Sequence, residues 1–384
     1  MTSIKAGVIG MGFIGPAHVE ALRRLGNVQV IAIASSRPNK AQVKAAELNV
    51  PRAYGDWRDL VADPDIQVVH NCTPNFLHYE INMAAINAGK AIVSEKPLGM
   101  DAAEASKLLQ AAQEAGVIHA VCFNNRMYPL TQEMKTRVAG GEIGNVRLVH
   151  GVYLQDWLLY ETDYNWRVDP VLGGAGRTVG DIGSHWCDLA QFVTGLKITE
   201  VYAELITFLP ARRKPHVQTN AFGGLESGPE DYAEIKVSTD DCGLILLRFE
   251  GGARGACTLS QLCAGRKNRL TLEVNGADGS LSWNLERPND LWLGHRNRPN
   301  EILPKDPALL SSIARPYAHY PGWHNEGYPD SFKNLFAQVY AAVREGGSMP
   351  DAPTWPTFEA GCESNRLVDA MLQSAKEKRW ITIT

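Results

Sequence analysis

Three short stretches of this chain hold residue types whose spacing suits chemistry. The first is Ala91-Ile92-Val93-Ser94-Glu95-Lys96-Pro97-Leu98-Gly99, an apolar run that ends in a charged pair and a proline. Ile and Val favour burial, so the run reads as a buried strand that delivers Lys96 to a sheet edge, where an ammonium meets solvent or a ligand. The second is Gly180-Asp181-Ile182-Gly183-Ser184-His185-Trp186-Cys187-Asp188-Leu189. If it starts a helix, Asp181, His185 and Asp188 share one face while Ile182, Trp186 and Leu189 form another, so one face packs and the other is left to work. Imidazole titrates near neutral pH, and a neutral His185 beside a cation suits proton removal from a hydroxyl. Taken alone, a strand-end lysine is most often a solvated charge and a helical histidine most often structural.

The third stretch, Ala6-Gly7-Val8-Ile9-Gly10-Met11-Gly12-Phe13-Ile14-Gly15-Pro16-Ala17-His18, is a strand that runs into G-x-G-x-x-G and then into a helical pattern. Gly10 permits the tight turn, Gly12 lets a pyrophosphate approach the backbone, and Gly15 allows helix to pack closely on strand. Phe13 and Ile14 open the helix whose N-terminus faces the anion. A second strand, Val28 to Ile33, follows, as a dinucleotide site requires. Its end should contact the adenosine ribose, and there the chain reads Ala34-Ser35-Ser36-Arg37-Pro38 without a carboxylate. Hydroxyls such as Ser36 and the Arg37 guanidinium suit a 2′-phosphate, which favours NADP while leaving NAD usable.

The elements that must position these groups follow from periodicity. After the glycine turn come helices around Lys40 to Leu48 and Trp57 to Ala62, a strand Gln67 to Asn71 and a helix Leu77 to Ala88. The Lys96 strand, a helix Asp101 to Ala115 and a strand Val117 to Phe123 complete the series. Such alternation predicts a doubly wound parallel sheet over residues 1–125, with ligands at the carboxyl ends of its strands. Thr73-Pro74-Asn75 and Asn124 to Arg126 fall at such ends, although Thr, Pro and Asn also suit a plain helix start. Beyond residue 125 the pattern becomes Val146 to Leu154, Val201 to Phe208, Tyr232 to Ser238, Gly243 to Glu250, Ala253 to Gln261, Leu270 to Asn275 and Gly279 to Trp283. That run predicts a large, mostly antiparallel sheet in a second domain, residues 126–384. Pro210 to Pro229 reads as a long loop, and Ser331 to Arg344 and Phe358 to Lys378 as helices, the last packing back on the first domain.

Composition narrows the function classes. The chain has 384 residues, 45% hydrophobic and 21% charged, with a formal net charge of -4 and no basic footprint for nucleic acid. No leader or 18-residue apolar run is evident, so a cytoplasmic protein is expected. Seven scattered cysteines without a Cys-x-x-Cys pair fit reduced thiols better than disulfides or zinc, and no metal site is predicted. A Ser-His-Asp hydrolase built on Ser184 is excluded, because neighbouring residues on one helix turn diverge and no nucleophile elbow surrounds the serine. The segment Tyr153 to Arg167 interleaves Trp157, Tyr160, Tyr164 and Trp166 with Asp156 and Asn165, and rings beside hydrogen-bonding groups suit a sugar.

Gly10 to Gly15, Thr73-Pro74-Asn75 with His78, Glu95-Lys96-Pro97 and Gly180 to His185 together resemble the glucose-fructose oxidoreductase, inositol dehydrogenase and rhizopine catabolism family, written Gfo/Idh/MocA. The resemblance spans nearly the whole chain. It implies an N-terminal Rossmann domain and a C-terminal α/β domain whose large open sheet often mediates assembly, here into a homodimer or homotetramer. It also implies hydride transfer between a nicotinamide cofactor, NADP or NAD, and a secondary alcohol or ketone of a sugar, anhydrosugar or polyol. Lys96 and His185 match the positions used for proton transfer and substrate hydroxyl binding, with Asp181 as an anchor beside them. Thr73, Pro74, Asn75, His78, Glu95, Asn124, the pair Trp166-Arg167 and Tyr328 are then expected near the cofactor. Arg126, Tyr153, Asp156, Arg177 and His324 are expected as substrate contacts. A glycoside-cleaving enzyme of the same fold, which returns the hydride, and a non-catalytic dinucleotide sensor are the alternatives.

Overall fold

The structure, a computed structural model, describes residues 3–216 and 232–383. The chain divides into two compact units, Met1–Asn124 with Tyr328–Asn365, and Asn125–Gly327 with Arg366–Thr384. In the first, β1 (Ile4–Ile9), α1 (Ile14–Arg23), β2 (Val28–Ala34), α2 (Pro38–Glu47), β3 (Arg52–Tyr54), α3 (Trp57–Ala62) and β4 (Val68–Asn71) alternate. α4 (His78–Asn87), β5 (Ala91–Ser94), α5 (Ala102–Ala115) and β6 (His119–Val121) continue the series. The six strands are parallel in the order β3-β2-β1-β4-β5-β6, the doubly wound arrangement expected. Local signals set the element ends: Asp101 caps α5 by accepting from the Glu104 amide, and Gly116 stops it at φ 63°.

The second unit contains α6 (Pro129–Ala139), β7 (Val146–Leu154), α7 (Pro170–Gly173), α8 (Ser184–Thr194), β8 (Ile198–Ile206), β9 (Ala211–Pro215) and β10 (Tyr232–Lys236). β11 (Cys242–Phe249), β12 (Arg254–Ser260), β13 (Arg269–Gly276), β14 (Ser280–Asn284), β15 (Asp290–Gly294) and β16 (Glu301–Pro304) follow. α9 (Tyr328–Glu345), α10 (Phe358–Glu377) and β17 (Ile381–Thr382) end the chain. Nine strands form one sheet, β16-β15-β14-β13-β7-β12-β11-β8-β17, antiparallel throughout except where β7 runs parallel to β12. Alternation sorts its faces: Ile245, Leu247 and Phe249 of β11 enter the core, while Leu244 and Leu246 stay exposed.

The structure differs from the sequence expectation at several points. Tyr328–Asn365 belongs to the first unit, because the rings of Phe332 and Phe336 on α9 pack on His18, with His70 also against Phe336 at 4.8 Å. α10, the helix expected to pack back on the first domain, divides, with Phe358 and Cys362 in one core and Leu367, Ala370 and Met371 in the other. Of the loop expected over 210–229, Ala211–Pro215 is instead a strand paired with β10, and residues 217–229 lie outside the described residues. β15 and β16 were not anticipated either; their strand signal is short and interrupted by turn residues.

Candidate active site

The first unit supplies a glycine cradle. Gly10 ends β1 at φ 95°, and a Cβ there would stand 2.5 Å from the Cys72 carbonyl. A Cβ on Gly15 would meet the Gly10 carbonyl at 2.1 Å, whereas one on Gly12 would meet nothing within 4 Å. Gly10 and Gly15 thus serve turn and packing, and Gly12 leaves open backbone at the start of α1, whose first turn carries no acidic side chain. Those residues fit a pyrophosphate. At the end of β2, Ser36 and Arg37 are exposed.

Lys96 stands at the carboxyl end of β5 on a buried polar scaffold. The Asn71 amide donates to Asn82 Oδ1 at 2.8 Å, and Asn82 donates to Ser94 Oγ at 2.9 Å. Ser94 Oγ donates in turn to the Glu95 carbonyl at 2.9 Å. Asn71 Oδ1 also accepts from the Thr73 hydroxyl at 2.7 Å, which fixes the Thr73-Pro74-Asn75 turn. The Lys96–Pro97 peptide is cis. Lys96 itself is half-buried. His78 departs from its expected place: it is fully buried, its ring nitrogens lying 2.6 Å from the Pro97 carbonyl and 2.9 Å from the Thr73 carbonyl. Burial lowers its pKa while the two carbonyls act against that, and the ring sits between the two turns rather than presenting itself to a ligand. Asn124 is also buried and donates to Ser331 Oγ at 2.9 Å, which fastens it to the start of α9, where Tyr328 remains partly exposed.

In the second unit, Val179–Gly183 forms a π-helical turn that leads into α8. From Gly176 to Ala190 every residue is buried except Asp181 and His185. Asp181 and His185 are the partly exposed pair, while Asp188, within the regular helix α8, is buried. Asp188 is 4% exposed and accepts from Arg126 Nε at 2.9 Å, so the expected three-residue face holds two, and Arg126 serves that ion pair. Asp181 accepts from Gln261 Nε2 at 2.8 Å and faces Arg167 Nε at 3.3 Å. The Arg167 guanidinium also stacks over the Trp166 ring at 4.4 Å. His185 lies with its ring centroid 6.4 Å from that of Tyr153.

The other expected substrate contacts separate into three groups. Tyr153 is near the pair but 5% exposed, its hydroxyl donating to Asn268 Oδ1 at 2.9 Å; burial and the Asp181 charge push the phenol up. Asp156 accepts from Lys267 Nζ at 2.7 Å and from the Gly265 amide at 3.0 Å, which holds a turn. Arg177 is a correction: its side chain is fully buried in an ion pair with Asp241, and its amide donates to Asp240 Oδ1 at 2.7 Å. A buried guanidinium there anchors the π-helical turn. His324 is exposed, Nδ1 lying 3.1 Å from the Gly322 carbonyl of its own loop. Sequence reasoning missed Gln261 and Gln155, which are bridged at 3.2 Å, with Gln155 donating to Asn268 at 3.0 Å. Their only signal was a polar residue just beyond the strands that end at Ser260 and Leu154.

No helix among the described residues is long and apolar enough to cross a membrane, and all seven cysteines are free thiols. The model of an oxidoreductase family with an NAD-binding Rossmann fold matches residues 4–123, and that of the GFO/IDH/MocA C-terminal domain matches residues 131–282. Levoglucosan dehydrogenase of Pseudarthrobacter phenanthrenivorans is 30% identical across 100% of this chain and 99% of its own length. The 1,5-anhydro-D-fructose reductase of Ensifer adhaerens is 31% identical over 74% of this chain and 83% of its own. A solved levoglucosan dehydrogenase in complex with NADH and L-sorbose superposes with a TM-score of 0.89 at 29% identity, covering 100% of both chains. With a glycine cradle that fits a dinucleotide, a doubly wound sheet and full-length similarity to these enzymes, the chain belongs to the GFO/IDH/MocA family of NAD-binding oxidoreductases.

Proposed function

We propose that the protein is a dehydrogenase that interconverts a secondary alcohol and a ketone on a sugar, anhydrosugar or polyol. The observation that carries this reading is the selective exposure of Asp181 and His185 in an otherwise buried segment. Bound nicotinamide supplies the hydride acceptor. Gly12 and the start of α1 hold its pyrophosphate, with Thr73-Pro74-Asn75, Glu95 and Asn124 on the second half of the sheet, and Trp166-Arg167 and Tyr328 as further contacts. His185 takes the hydroxyl proton, the Lys96 ammonium offsets the negative charge that grows on the oxygen, and Asp181 accepts a hydrogen bond from a neighbouring hydroxyl. The carbon gives up its hydride, so one C–H and one O–H bond are exchanged for the carbonyl. The names of the sugar-acting relatives support this substrate class.

For the dinucleotide, NADP is favoured by Ser36 and Arg37 with no carboxylate at the end of β2, while NADH in the levoglucosan dehydrogenase complex supports NAD. A cytoplasmic homodimer or homotetramer is the assembly proposed; exposed Leu148, Leu244 and Leu246 on the large sheet support it. An activity matrix of sugars, anhydrosugars and inositols against both dinucleotides tests the reading. Reduced nicotinamide should accumulate with at least one pair. Silence across the whole matrix would reject a dehydrogenase, and net glycoside cleavage without net reduction would turn the reading to hydride return.

A further inference from the structure

A buried line of side chains runs behind Glu95 in the first unit, and its other three members are used by none of these steps. The Tyr340 hydroxyl lies 2.9 Å from His70 Nε2, His70 Nδ1 lies 3.0 Å from His18 Nδ1, and His18 Nε2 lies 3.1 Å from Glu95 Oε1. Both histidines are wholly buried and Tyr340 is 1% exposed. Two Nδ1 atoms face each other, so one of them donates and the other accepts. Burial and the neighbouring His18 push His70 well below its ordinary range, which keeps it neutral. In the polarity that leaves both histidines neutral and Glu95 ionised, the phenol donates to His70 Nε2, His70 Nδ1–H donates to His18 Nδ1 and His18 Nε2–H donates to Glu95. Glu95 then accepts further hydrogen bonds from the Lys96 amide at 3.2 Å and from the Cys122 thiol. Hydrogen bonds donated to a carboxylate favour its charged form.

The position of that charge matters. Glu95 follows β5 directly, at the carboxyl edge of the β4-β5-β6 half of the sheet. The β1-β2-β3 half carries the glycine turn, so the second half receives the second mononucleotide, which in this cofactor is the nicotinamide one. Oxidised and reduced nicotinamide differ by one positive charge on the ring. We infer that the Tyr340-His70-His18-Glu95 chain fixes a carboxylate at the nicotinamide half of the first unit and thereby weights cofactor affinity toward the oxidised form. The inference rests on the dinucleotide reading given above.

The test is calorimetric titration, without substrate, of wild-type protein, Glu95→Gln and Tyr340→Phe with NAD+, NADH, NADP+ and NADPH. Glu95→Gln should lower the ratio of reduced-form to oxidised-form Kd on the order of tenfold, mainly by weakening the oxidised form. Tyr340→Phe removes only the last donor and should move the ratio the same way by about threefold. An unmoved ratio in folded Glu95→Gln, or equal losses for both forms, overturns the inference and leaves Glu95 structural. If circular dichroism shows that Glu95→Gln does not fold, an unmoved ratio in Tyr340→Phe overturns it. Wild-type protein that binds no dinucleotide would sink the cofactor reading and this inference with it; wild-type binding with unmoved ratios sinks this inference alone.

Discussion

The turn that carries Lys96 and the segment that carries His185 are held by opposite means. Behind Lys96 lies a polar scaffold, in which buried Asn71, Asn82 and Ser94 each satisfy the next and His78 ties two turns together. Around Asp181 and His185 the packing is chiefly apolar, with Val179, Ile182, Trp186 and Leu189 in the core, Arg177 and Arg212 paired with Asp241 at the entry and Arg126 paired with Asp188 further along. Directional hydrogen bonds fix where a backbone turn ends, so they suit a lysine on a long flexible stem. Apolar packing decides which side of a helix faces inward, so it suits a face that must present two short side chains. The two regions therefore fail differently when altered.

The sharpest contrast comes from the presented groups themselves. Lys96→Ala and His185→Ala should each lower kcat on the order of a thousandfold, with dinucleotide Kd changed only a few-fold. Steady-state kinetics beside calorimetry checks this, and equal loss of binding and turnover in Lys96→Ala would make the lysine structural. Next in size is the anchor of the second region. Arg177→Leu leaves Asp241 buried with Arg212 and the Leu209 amide and should cost about 1–3 kcal/mol in urea unfolding. An unchanged midpoint would show that apolar packing alone holds the π-helical turn.

A smaller effect isolates the missed residue. Gln261→Leu removes a donor to Asp181, and KM for the substrate found in the activity matrix should rise about tenfold with a lesser change in kcat. A pure loss of kcat would place Gln261 with His185 instead. The smallest effect belongs to the polar scaffold. His70 has its folded pKa depressed by burial, so its contribution to stability is complete above the unfolded value and is lost as pH falls toward the folded value. Between pH 6.5 and 5.5 that loss is about 1 kcal/mol. Urea midpoints of wild-type and His70→Asn protein across this range should converge as the pH falls; parallel curves would mean that His70 is charged when folded.

The signals that were legible in the sequence share a property: the neighbours that explain them are close in the chain. The glycine turn, the strand before Lys96 and the helix start before His185 all depend on a dozen adjacent residues. Arg177 was misjudged because its partner, Asp241, lies on a distant turn, and an arginine in a glycine-rich stretch gives no local sign that it will be buried. Asp188 was misplaced because the partner that draws it inward, Arg126, is likewise distant in the chain. His18 and His70 were passed over because their meaning comes from Tyr340, which follows them by hundreds of residues. α9 itself was recognised as a helix, yet amphipathic periodicity does not say which core its apolar stripe enters.

α10 and the placement of α9 also bear on synthesis. The glycine cradle and the Lys96 turn leave the ribosome within the first third of the chain, but their unit also needs Phe332, Phe336 and Phe358 in its core. Translation therefore runs through the whole large sheet before the first-made unit can close. The cofactor half is the first part to be translated and among the last to be finished, so a chain that stops short of α9 would carry the glycine motif without the core that supports it.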